Sequence, residues 1–569
     1  MCILFLVLWV IIFKSIGGII VNLIILFIVL FFLPIIKTNS QVTQQWVARY
    51  NGLSNGYDKA NSIKVDGSGN VYVTGESEVG SITRDYVTVK YNSSGVQQWA
   101  ARYNGPGNYI DQATCVAIDN SGNVYVTGGS VGMGTGSDFC TIKYNSNGDS
   151  LWVRRYNGTG NDIDASIQVV VDVSGNVYVT GFSDDGVNLN YVTIKYNSSG
   201  TQLWASIYNG PAGGTGSEDR PHFLAVDGIG NVYVTGESST GTGSLDMYAT
   251  IKYNSSGDSL WVARYKGPGV DGLSQAYALA VDAGGNVYVT GRSDPTSGFG
   301  FNFDILTIKY NSSGDSLWVK RYNGPGNSSD IGNSIALDGG GNIIVTGASV
   351  VNTFTDFCTI KYNSSGDTLW ISRYNGPAKG VDNANSIATD ALNNVYVTGY
   401  SVGSGSGDDY ATVKYNSSGV QQWVMRYNGP GNSMDQSNSV VVDVSGNVYV
   451  TGGSNGSGSG SDYATIKYSQ PNGIHQISSE TPQKFNLFQN YPNPFNPATK
   501  IRFDIPASDN VVLKIYDLLG SEVSILINRY LHAGKYEIEF NASELSSGAY
   551  FYGIESGKFS EIKKMIVIK

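Results

Sequence analysis

One heptapeptide, Gly-Asn-Val-Tyr-Val-Thr-Gly or a close variant, occurs eight times in this chain of 569 residues. Self-similarity at a period of about 53 residues predicts a repeat architecture rather than one large core. The asparagines of the eight copies are Asn70, Asn123, Asn176, Asn231, Asn286, Asn342, Asn394 and Asn447. A tryptophan recurs with the same rhythm, at Trp46, Trp99, Trp152, Trp204, Trp261, Trp318, Trp370 and Trp423.

Each repeat contains four short segments rich in β-branched and aromatic residues, bounded by Gly, Asn and Ser turns. In the second repeat they are residues 114–119, 123–127, 139–144 and 151–156. Composition agrees, with 72 Gly, 38 Tyr and only 14% charged residues, where about 25% is usual. Four strands in a unit of this length are typical of a propeller blade. We therefore predict an all-β chain dominated by an eight-bladed β-propeller with four-stranded blades.

The turns of the repeat are of two kinds. The Asp-x-Ser-Gly-Asn turn and the Asn-Ser-x-Gly turn hardly vary and provide residues that favour hairpin turns. The links after Thr-Gly and after Tyr-Asn-Gly vary, as between Gly129 and Ser137 and between Arg292 and Phe303. Because alternate links of an up-and-down blade emerge on opposite faces, we expect one regular face and one variable face. A specific binding site is expected on the variable face.

The repeat begins with a Trp segment, residues 45–51, and ends with the segment 462–468, which no Trp segment follows. The eighth blade therefore lacks its outer strand. We predict that the Trp46 strand pairs with the 462–468 strand, because this pairing closes the ring and covers an open sheet edge.

The repeats resemble the bacterial β-propeller repeats called SBBP repeats, which share the core Val-Asp-x-x-Gly-Asn-x-Tyr-Val-Thr-Gly. This resemblance covers about three quarters of the chain and agrees with the strand reading. The Trp side chains are expected to pack between neighbouring blades. An Asp at each innermost strand end is expected to cap its turn, with a calcium site there as the alternative.

The period ends at Tyr468, and we expect a linker over residues 469–482 and a separate domain over residues 483–569. Its segments 488–497, 513–520 and 547–552 and its terminal lysine resemble the type A sorting domain of the type IX secretion system. The resemblance implies a small immunoglobulin-like β-sandwich and a secretion translocon as partner. The residues that match its motifs are Asn493, Pro494, Phe495, Asp517, Gly520, Gly548, Tyr550 and Lys569.

Residues 1–41 are almost entirely apolar before Lys37, which predicts a targeting segment. We expect a cleaved signal peptide, with a membrane anchor as the alternative. Cys2 lies in this segment, and the remaining three cysteines, an odd number, make no disulfide framework: Cys115, Cys140 and Cys358. A formal net charge of -10 argues against a nucleic-acid partner.

No catalytic triad or metal cluster is evident in the sequence, since the three histidines lie far apart, at His222, His475 and His532. We predict an exported, non-enzymatic propeller without a cofactor, found outside the cell or on its outer membrane after passage through the periplasm. It is expected to act as a monomer that binds a surface glycan or a protein, in an adhesive or structural role. The alternative is a secreted enzyme, polysaccharide-active or quinoprotein-like, which would need two carboxylates or a metal to converge at one cluster of links.

Overall fold

The structure, a computed structural model, describes residues 42–80, 83–211, 217–239, 246–268, 273–295, 302–470, 474–478, 480–542 and 545–568. The expected targeting segment, the terminal Lys569 and part of the link between Arg292 and Phe303 lie outside these residues. Ten four-stranded antiparallel sheets account for the regular structure of the described residues. The predicted all-β class is confirmed.

Eight of the sheets are blades, which we number 1 to 8 along the chain. The strands of blades 1 to 4 are β2 (Asp58–Val65), β3 (Val71–Val79), β4 (Thr83–Tyr91), β5 (Gln97–Tyr103), β6 (Asp111–Ile118), β7 (Val124–Val131), β8 (Ser137–Tyr144), β9 (Ser150–Tyr156), β10 (Asp164–Val171), β11 (Val177–Asp184), β12 (Leu189–Tyr196), β13 (Gln202–Tyr208), β14 (Asp219–Val226), β15 (Val232–Ser239), β16 (Asp246–Tyr253) and β17 (Ser259–Tyr265). Those of blades 5 to 8 are β18 (Ser274–Val281), β19 (Val287–Ser293), β20 (Asp304–Tyr310), β21 (Ser316–Tyr322), β22 (Asp330–Leu337), β23 (Ile343–Val351), β24 (Phe354–Tyr362), β25 (Thr368–Tyr374), β26 (Asp382–Thr389), β27 (Val395–Val402), β28 (Asp408–Tyr415), β29 (Gln421–Tyr427), β30 (Asp435–Val442), β31 (Val448–Asn455), β32 (Ser461–Ser469) and the N-terminal β1 (Thr43–Tyr50).

The N-terminal strand closes the ring. Strand β1 pairs antiparallel with β32, and Trp46 lies opposite Lys467. Blade 8 therefore has the order β30-β31-β32-β1, whereas every other blade is built from four consecutive strands. The first strands of neighbouring blades contact one another from β2 round to β30 and back to β2. The predicted eight-bladed propeller and its strand closure are confirmed.

The second strand of each blade is buried on both faces because it lies between two neighbouring sheets. In blade 2, Val124, Tyr125 and Val126 have no exposed surface. The buried hydroxyl of Thr127 makes a hydrogen bond of 2.8 Å with that of Thr141 on the next strand. Burial on both faces explains why this strand is a mostly apolar run rather than an alternation of apolar and polar residues.

The recurring Trp connects each blade to the next. The indole N–H of Trp99 donates to the backbone oxygen of Ser146, 3.0 Å away in the next blade. A side chain on Gly148, whose φ is +89°, would meet the Trp99 ring at 2.8 Å, so this turn needs glycine. The same Trp-to-Ser bond is made by Trp46, Trp152, Trp204, Trp261, Trp318 and Trp370.

The recurring Asp organises the turn after the innermost strand. In blade 2, one oxygen of Asp119 accepts the backbone N–H groups of Ser121 and Asn123, and the other accepts the Asn123 amide and the Tyr125 hydroxyl. Burial opposes ionisation, but these hydrogen bonds outweigh it and lower the pKa of Asp119. Four donors fill the carboxylate, as expected of a turn-capping residue.

Blade 6 replaces the tyrosine of this turn by Ile344, and its aspartate takes a different partner. The ammonium group of Lys361 lies 2.7 Å from the Asp338 carboxylate, and both side chains are almost fully buried. The lysine therefore supplies the fourth donor that the tyrosine provides in other blades.

The remaining two sheets form a β-sandwich. Its strands are β33 (Ile474–Ser478), β34 (Asn486–Leu487), β35 (Ala498–Ile505), β36 (Asp509–Tyr516), β37 (Glu522–Leu531), β38 (Gly534–Asn541), β39 (Gly548–Ser556) and β40 (Phe559–Val567). The sheet orders are β33-β38-β35-β34 and β37-β36-β39-β40, and both sheets contribute to one apolar core. The segment 469–482, expected to be a linker, contains β33, which pairs with β38. The sandwich therefore recruits a strand from before the expected boundary at residue 483.

Candidate functional site

A repeated arginine network lies at the variable-face end of the blades. In blade 2, Arg155 lies 2.7 Å from the Asp138 carboxylate and donates to the Ser130 hydroxyl at 2.6 Å. It also donates to the hydroxyl of Tyr103 in blade 1. The same Arg–Asp pair forms in four other blades, as Arg49 with Asp462, Arg102 with Asp85, Arg321 with Asp304 and Arg426 with Asp409. A contact repeated this regularly serves the scaffold.

Blades 3 and 4 depart from this pattern, and blade 5, which keeps the Arg–Asp pair, departs at another repeated position. Blade 3 has the exposed Ile207 where other blades have the arginine, and Asn190 where they have the aspartate. Blade 4 has Met247 at the aspartate position, and blade 5 begins its first strand with Ser274 instead of the usual aspartate. The departures are consecutive round the ring, so one sector of the propeller differs from the rest.

Within this sector, polar side chains of blades 4 and 5 meet beside the innermost strands. We call His222, Glu237, Asp246, Gln275 and Tyr277 the blade 4/5 cluster. The Gln275 amide donates to the Asp246 carboxylate at 3.0 Å, and the Tyr277 hydroxyl donates to the Gln275 carbonyl at 2.9 Å. The residues come from β14, β15, β16 and β18, so strand pairing and blade contact together assemble the cluster.

Arg292 on β19 fixes the orientation of Gln275. Its guanidinium donates twice to the Gln275 carbonyl oxygen, at 2.8 and 2.5 Å. With its carbonyl facing Arg292 and Tyr277, the amide NH₂ of Gln275 can only point towards Asp246. The guanidinium also lies 4.3 Å from the ring centroid of Phe303, which is buried. The cluster is thus held by surrounding residues.

His222 lies between the two blades. Its Nε2 is 3.7 Å from the Glu237 carboxylate, and its ring meets that of Tyr277 edge to face at 5.4 Å. Nε2 is buried and forms no hydrogen bond with any described residue. A buried ring nitrogen without a partner retains unused hydrogen-bonding capacity.

The carboxylates of the cluster repel one another. Burial, and next the charge of Glu237, raise the pKa of Asp246 to about 6, and Glu218 and Asp219 act in the same direction. The hydrogen bond from Gln275 opposes this rise. Burial is also the largest cause that raises the pKa of Tyr277 to about 12. Asp246 therefore exchanges its proton near neutral pH, which is unusual for an aspartate.

The residues predicted as variable links lie partly in strands. Strand β7 continues to Val131 and β8 begins at Ser137, so the link after Gly129 is a tight turn in which the Gly132 N–H donates to the Gly136 carbonyl. Arg292 lies within β19. Sequence reasoning missed Glu237, Asp246 and Tyr277. Glu237 and Asp246 have counterparts of the same type in other blades, Glu76 and Asp408, so the signal lay in their combination within one blade.

The sorting-motif residues lie mainly where the start of the sandwich meets its last strand. The side-chain amide oxygen of Asn493 accepts the backbone N–H of Ile566 at 2.9 Å, and Phe495, which follows the exposed Pro494, is buried. Asp517 accepts two backbone N–H groups in the turn that Gly520 closes at φ +78°. The other two matched residues lie on β39, Gly548 as its first residue and Tyr550 with its hydroxyl donating to the Ser546 carbonyl.

No three His, Cys, Asp or Glu side chains among the described residues are arranged to hold a metal ion. The three cysteines of the described chain, Cys115, Cys140 and Cys358, are free thiols. Burial raises the pKa of the Cys140 thiol to about 12, which is typical of an inert core cysteine. A helix able to span a membrane is likewise not found in the described ranges.

Two protein-family models match this chain, one in the propeller and one in the C-terminal sandwich. Residues 489–569 match the secretion system C-terminal sorting domain, and residues 45–82, 369–405 and 422–458 match the SBBP β-propeller repeat. The chain contains SBBP β-propeller repeats and a secretion system C-terminal sorting domain. The sorting domain indicates export by the type IX system to the cell surface or the extracellular space. Both predicted resemblances are confirmed.

Individual proteins resemble this chain more distantly. An uncharacterized WD repeat-containing protein of Acanthamoeba polyphaga mimivirus is 26% identical over 379 residues, which are 56% of this chain and 26% of that protein. The chain thus spans about a quarter of the length of this curated relative.

Solved structures to which this chain shows a distant similarity include a polysaccharide lyase, an alcohol oxidase and a secretion system component. Polysaccharide lyase Uly1 is 12% identical, with a TM-score of 0.40, and the match covers 77% of this chain and 95% of the lyase. A fungal alcohol oxidase is 13% identical, with a TM-score of 0.38, over 79% of this chain and 96% of the oxidase. PorZ, a surface component of the type-IX secretion system of Porphyromonas gingivalis, is 11% identical, with a TM-score of 0.24, over 92% of this chain and all of PorZ.

Proposed function

We propose that this protein is an exported, non-enzymatic binding module whose variable face engages a surface glycan or another protein. The main support is the uneven divergence of the repeats. Blade 3 replaces both residues of the Arg–Asp pair, blade 4 replaces its aspartate, blade 5 replaces the inner-strand aspartate, and the blade 4/5 cluster lies in the same sector. In a repeat protein, residues shared by all blades serve the scaffold, so a ligand site is expected where the blades differ.

The proposed module works as a monomer and needs no resident cofactor. The alternative of calcium at the Asp-x-Ser-Gly-Asn turns has little support, because donors already fill the carboxylate of Asp119. Light scattering of the mature chain is expected to give the mass of one copy.

The test is a binding screen of the secreted chain against a glycan array and a panel of surface proteins. Two matched double variants test which face of the propeller binds the ligand. Ile163→Glu with Val187→Glu adds charge to exposed positions of variable links, and Val173→Glu with Ile229→Glu does so on regular turns. Only the first variant is expected to weaken binding. Loss of binding in the regular-face variant alone, or no ligand in either screen, would contradict the proposal.

One observation favours an enzyme as a second candidate. Burial and the charges of Glu237, Glu218 and Asp219 raise the pKa of Asp246, and a carboxyl group with a raised pKa can act as a general acid. A hydrolysis screen on the same glycans decides between the candidates. Turnover of any polysaccharide that disappears in Asp246→Asn would replace the binding module by a polysaccharide-active enzyme.

A further inference from the structure

Blade 1 contains an ion pair at the position that the blade 4/5 cluster occupies in blade 4. Arg84 lies 2.9 Å from the Glu76 carboxylate, and the Gln112 amide of blade 2 donates to the same oxygen at 2.7 Å. The Arg84 guanidinium also lies 4.5 Å from the ring centroid of Tyr57. The charge of Glu76 is therefore balanced by a guanidinium, and one of its oxygens accepts from two donors.

Blade 4 keeps two of these three residues and reverses the charge of the third. Strand pairing makes Glu237 equivalent to Glu76, since each lies opposite the buried tyrosine of the third strand. Gln275 takes the place of Gln112. Asp246 stands where Arg84 stands, so a carboxylate has replaced the cation.

This substitution leaves Glu237 without its counter-charge. Only 12% of its side chain is exposed, and its one ionic contact among the described residues is His222 at 3.7 Å. Placing two carboxylates together in a buried site is costly unless a cation joins them. Blade 7 differs, because Asp408 pairs with Gln436 at 2.7 Å but faces Tyr400 in place of the glutamate.

We propose that the blade 4/5 cluster binds an arginine side chain of a partner protein, with its guanidinium in the position that Arg84 occupies in blade 1. A planar guanidinium presents five donors in a fixed fork and can bond two carboxylates at once. Gln275, held by Arg292 and Tyr277, keeps Asp246 oriented for this contact. The inference rests on the proposed binding function and assigns that function a protein partner.

Other ligands suit these residues less well. An uncharged sugar would leave both carboxylates uncompensated. The ammonium group of an amino sugar is a compact, strongly hydrated charge and lacks the fork geometry. An internal guanidinium already fills the equivalent place in blade 1, which is why we commit to arginine.

The test measures binding of the peptide acetyl-Gly-Arg-Gly-amide to the secreted chain at pH 8, with the neutral citrulline peptide as its control. We expect a dissociation constant on the order of 1 mM for the arginine peptide and at least about tenfold weaker binding of citrulline. Asp246→Asn is expected to lose about tenfold in affinity, and the matched variant Asp408→Asn to bind as the wild type does. Asp246→Arg re-creates the blade 1 pair, so it should abolish binding and raise the melting temperature.

Equal affinity for the two peptides, or no binding at about 20 mM peptide, would overturn the inference. Tighter binding of glucosamine than of the arginine peptide would assign the cluster to an amino sugar instead. Should Asp246→Asn keep all binding in the screen of the proposed function, only this inference fails. The absence of any ligand in that screen is the separate failure of the binding function itself.

Discussion

We expect the Gln470 side chain to stabilise the junction at which the ring of blades closes. In seven blade junctions, a lysine and a tryptophan donate to the backbone oxygen of a serine in the following blade, as Lys143 and Trp152 do to Ser198. The corresponding serine turn is missing from blade 8, because its fourth strand comes from the N-terminus. Instead, the Gln470 carbonyl accepts from Lys414 and Trp423.

The Gln470 amide completes the replacement. It donates to the Tyr396 hydroxyl and to the Gly446 carbonyl, both at 2.7 Å. Neutral hydrogen bonds contribute about 0.5–1.5 kcal/mol each and bonds to charged groups about 1.5–3 kcal/mol. Since the site is only partly buried and water can replace some donors, Gln470→Ala should lower the free energy of unfolding by about 2–3 kcal/mol.

Urea unfolding followed by tryptophan fluorescence measures this loss selectively, because residues 469–569 contain no tryptophan. The matched control is Gln422→Ala, since the exposed amide of Gln422 bonds only to the nearby Val420 carbonyl. The control is expected to change stability by less than about 0.5 kcal/mol. If the urea midpoint and the slope of unfolding are the same for Gln470→Ala as for the control, the Gln470 side chain does not stabilise the junction.

Three further predictions concern the divergent sector and the export domain. Burial and the charge of Glu237 raise the pKa of Asp246 to about 6, above its ordinary value, so its ionisation destabilises the folded state; Asp246→Asn should melt higher than wild type at pH 8 and lose this advantage below about pH 4. Restoring the blade 3 pair with Ile207→Arg and Asn190→Asp should show a coupling energy of about 1 kcal/mol in a double-mutant cycle, and additive effects would contradict the network. Removal of residues 483–569 should stop delivery to the cell surface or medium, measured by immunoblot of cell fractions, and normal delivery would refute the export role.

The fold could be predicted because the sequence patterns that specify it are local and recur in every repeat. Each copy of the heptapeptide marks a buried strand, and the unmatched Trp46 segment at one end implied closure with the other. The ends of the strands were harder to predict from the sequence. The sequence predicts a strand over residues 123–127, yet Gly128 and Gly129 continue the ladder opposite Cys140 and Phe139. Strand β33 was missed because it is short and its pairing partner lies about 60 residues later.

The candidate site was harder to predict, since its residues are ordinary in type and become unusual only through pairing. Glu237 and Asp246 belong to adjacent strands of one blade, while Gln275 reaches them from the next blade. The sequence analysis expects catalytic carboxylates to converge at a cluster of links, whereas Glu237 and Asp246 lie in strands. Aligning the third strands by their buried tyrosine would have shown an acid where blade 1 has Arg84.

Two kinds of divergence in this sector have different physical meanings. In blade 3 the arginine and its aspartate are both replaced, by Ile207 and Asn190, so no charge is left unpaired. A partly exposed ion pair contributes only about 1 kcal/mol to stability. Replacing both of its residues together therefore costs little. Blade 4 instead has the largely buried Glu237 with Asp246 beside it, and this pair of like charges opposes stability. The presence of an unfavourable charge pair, rather than divergence alone, is the stronger sign that this position serves a ligand.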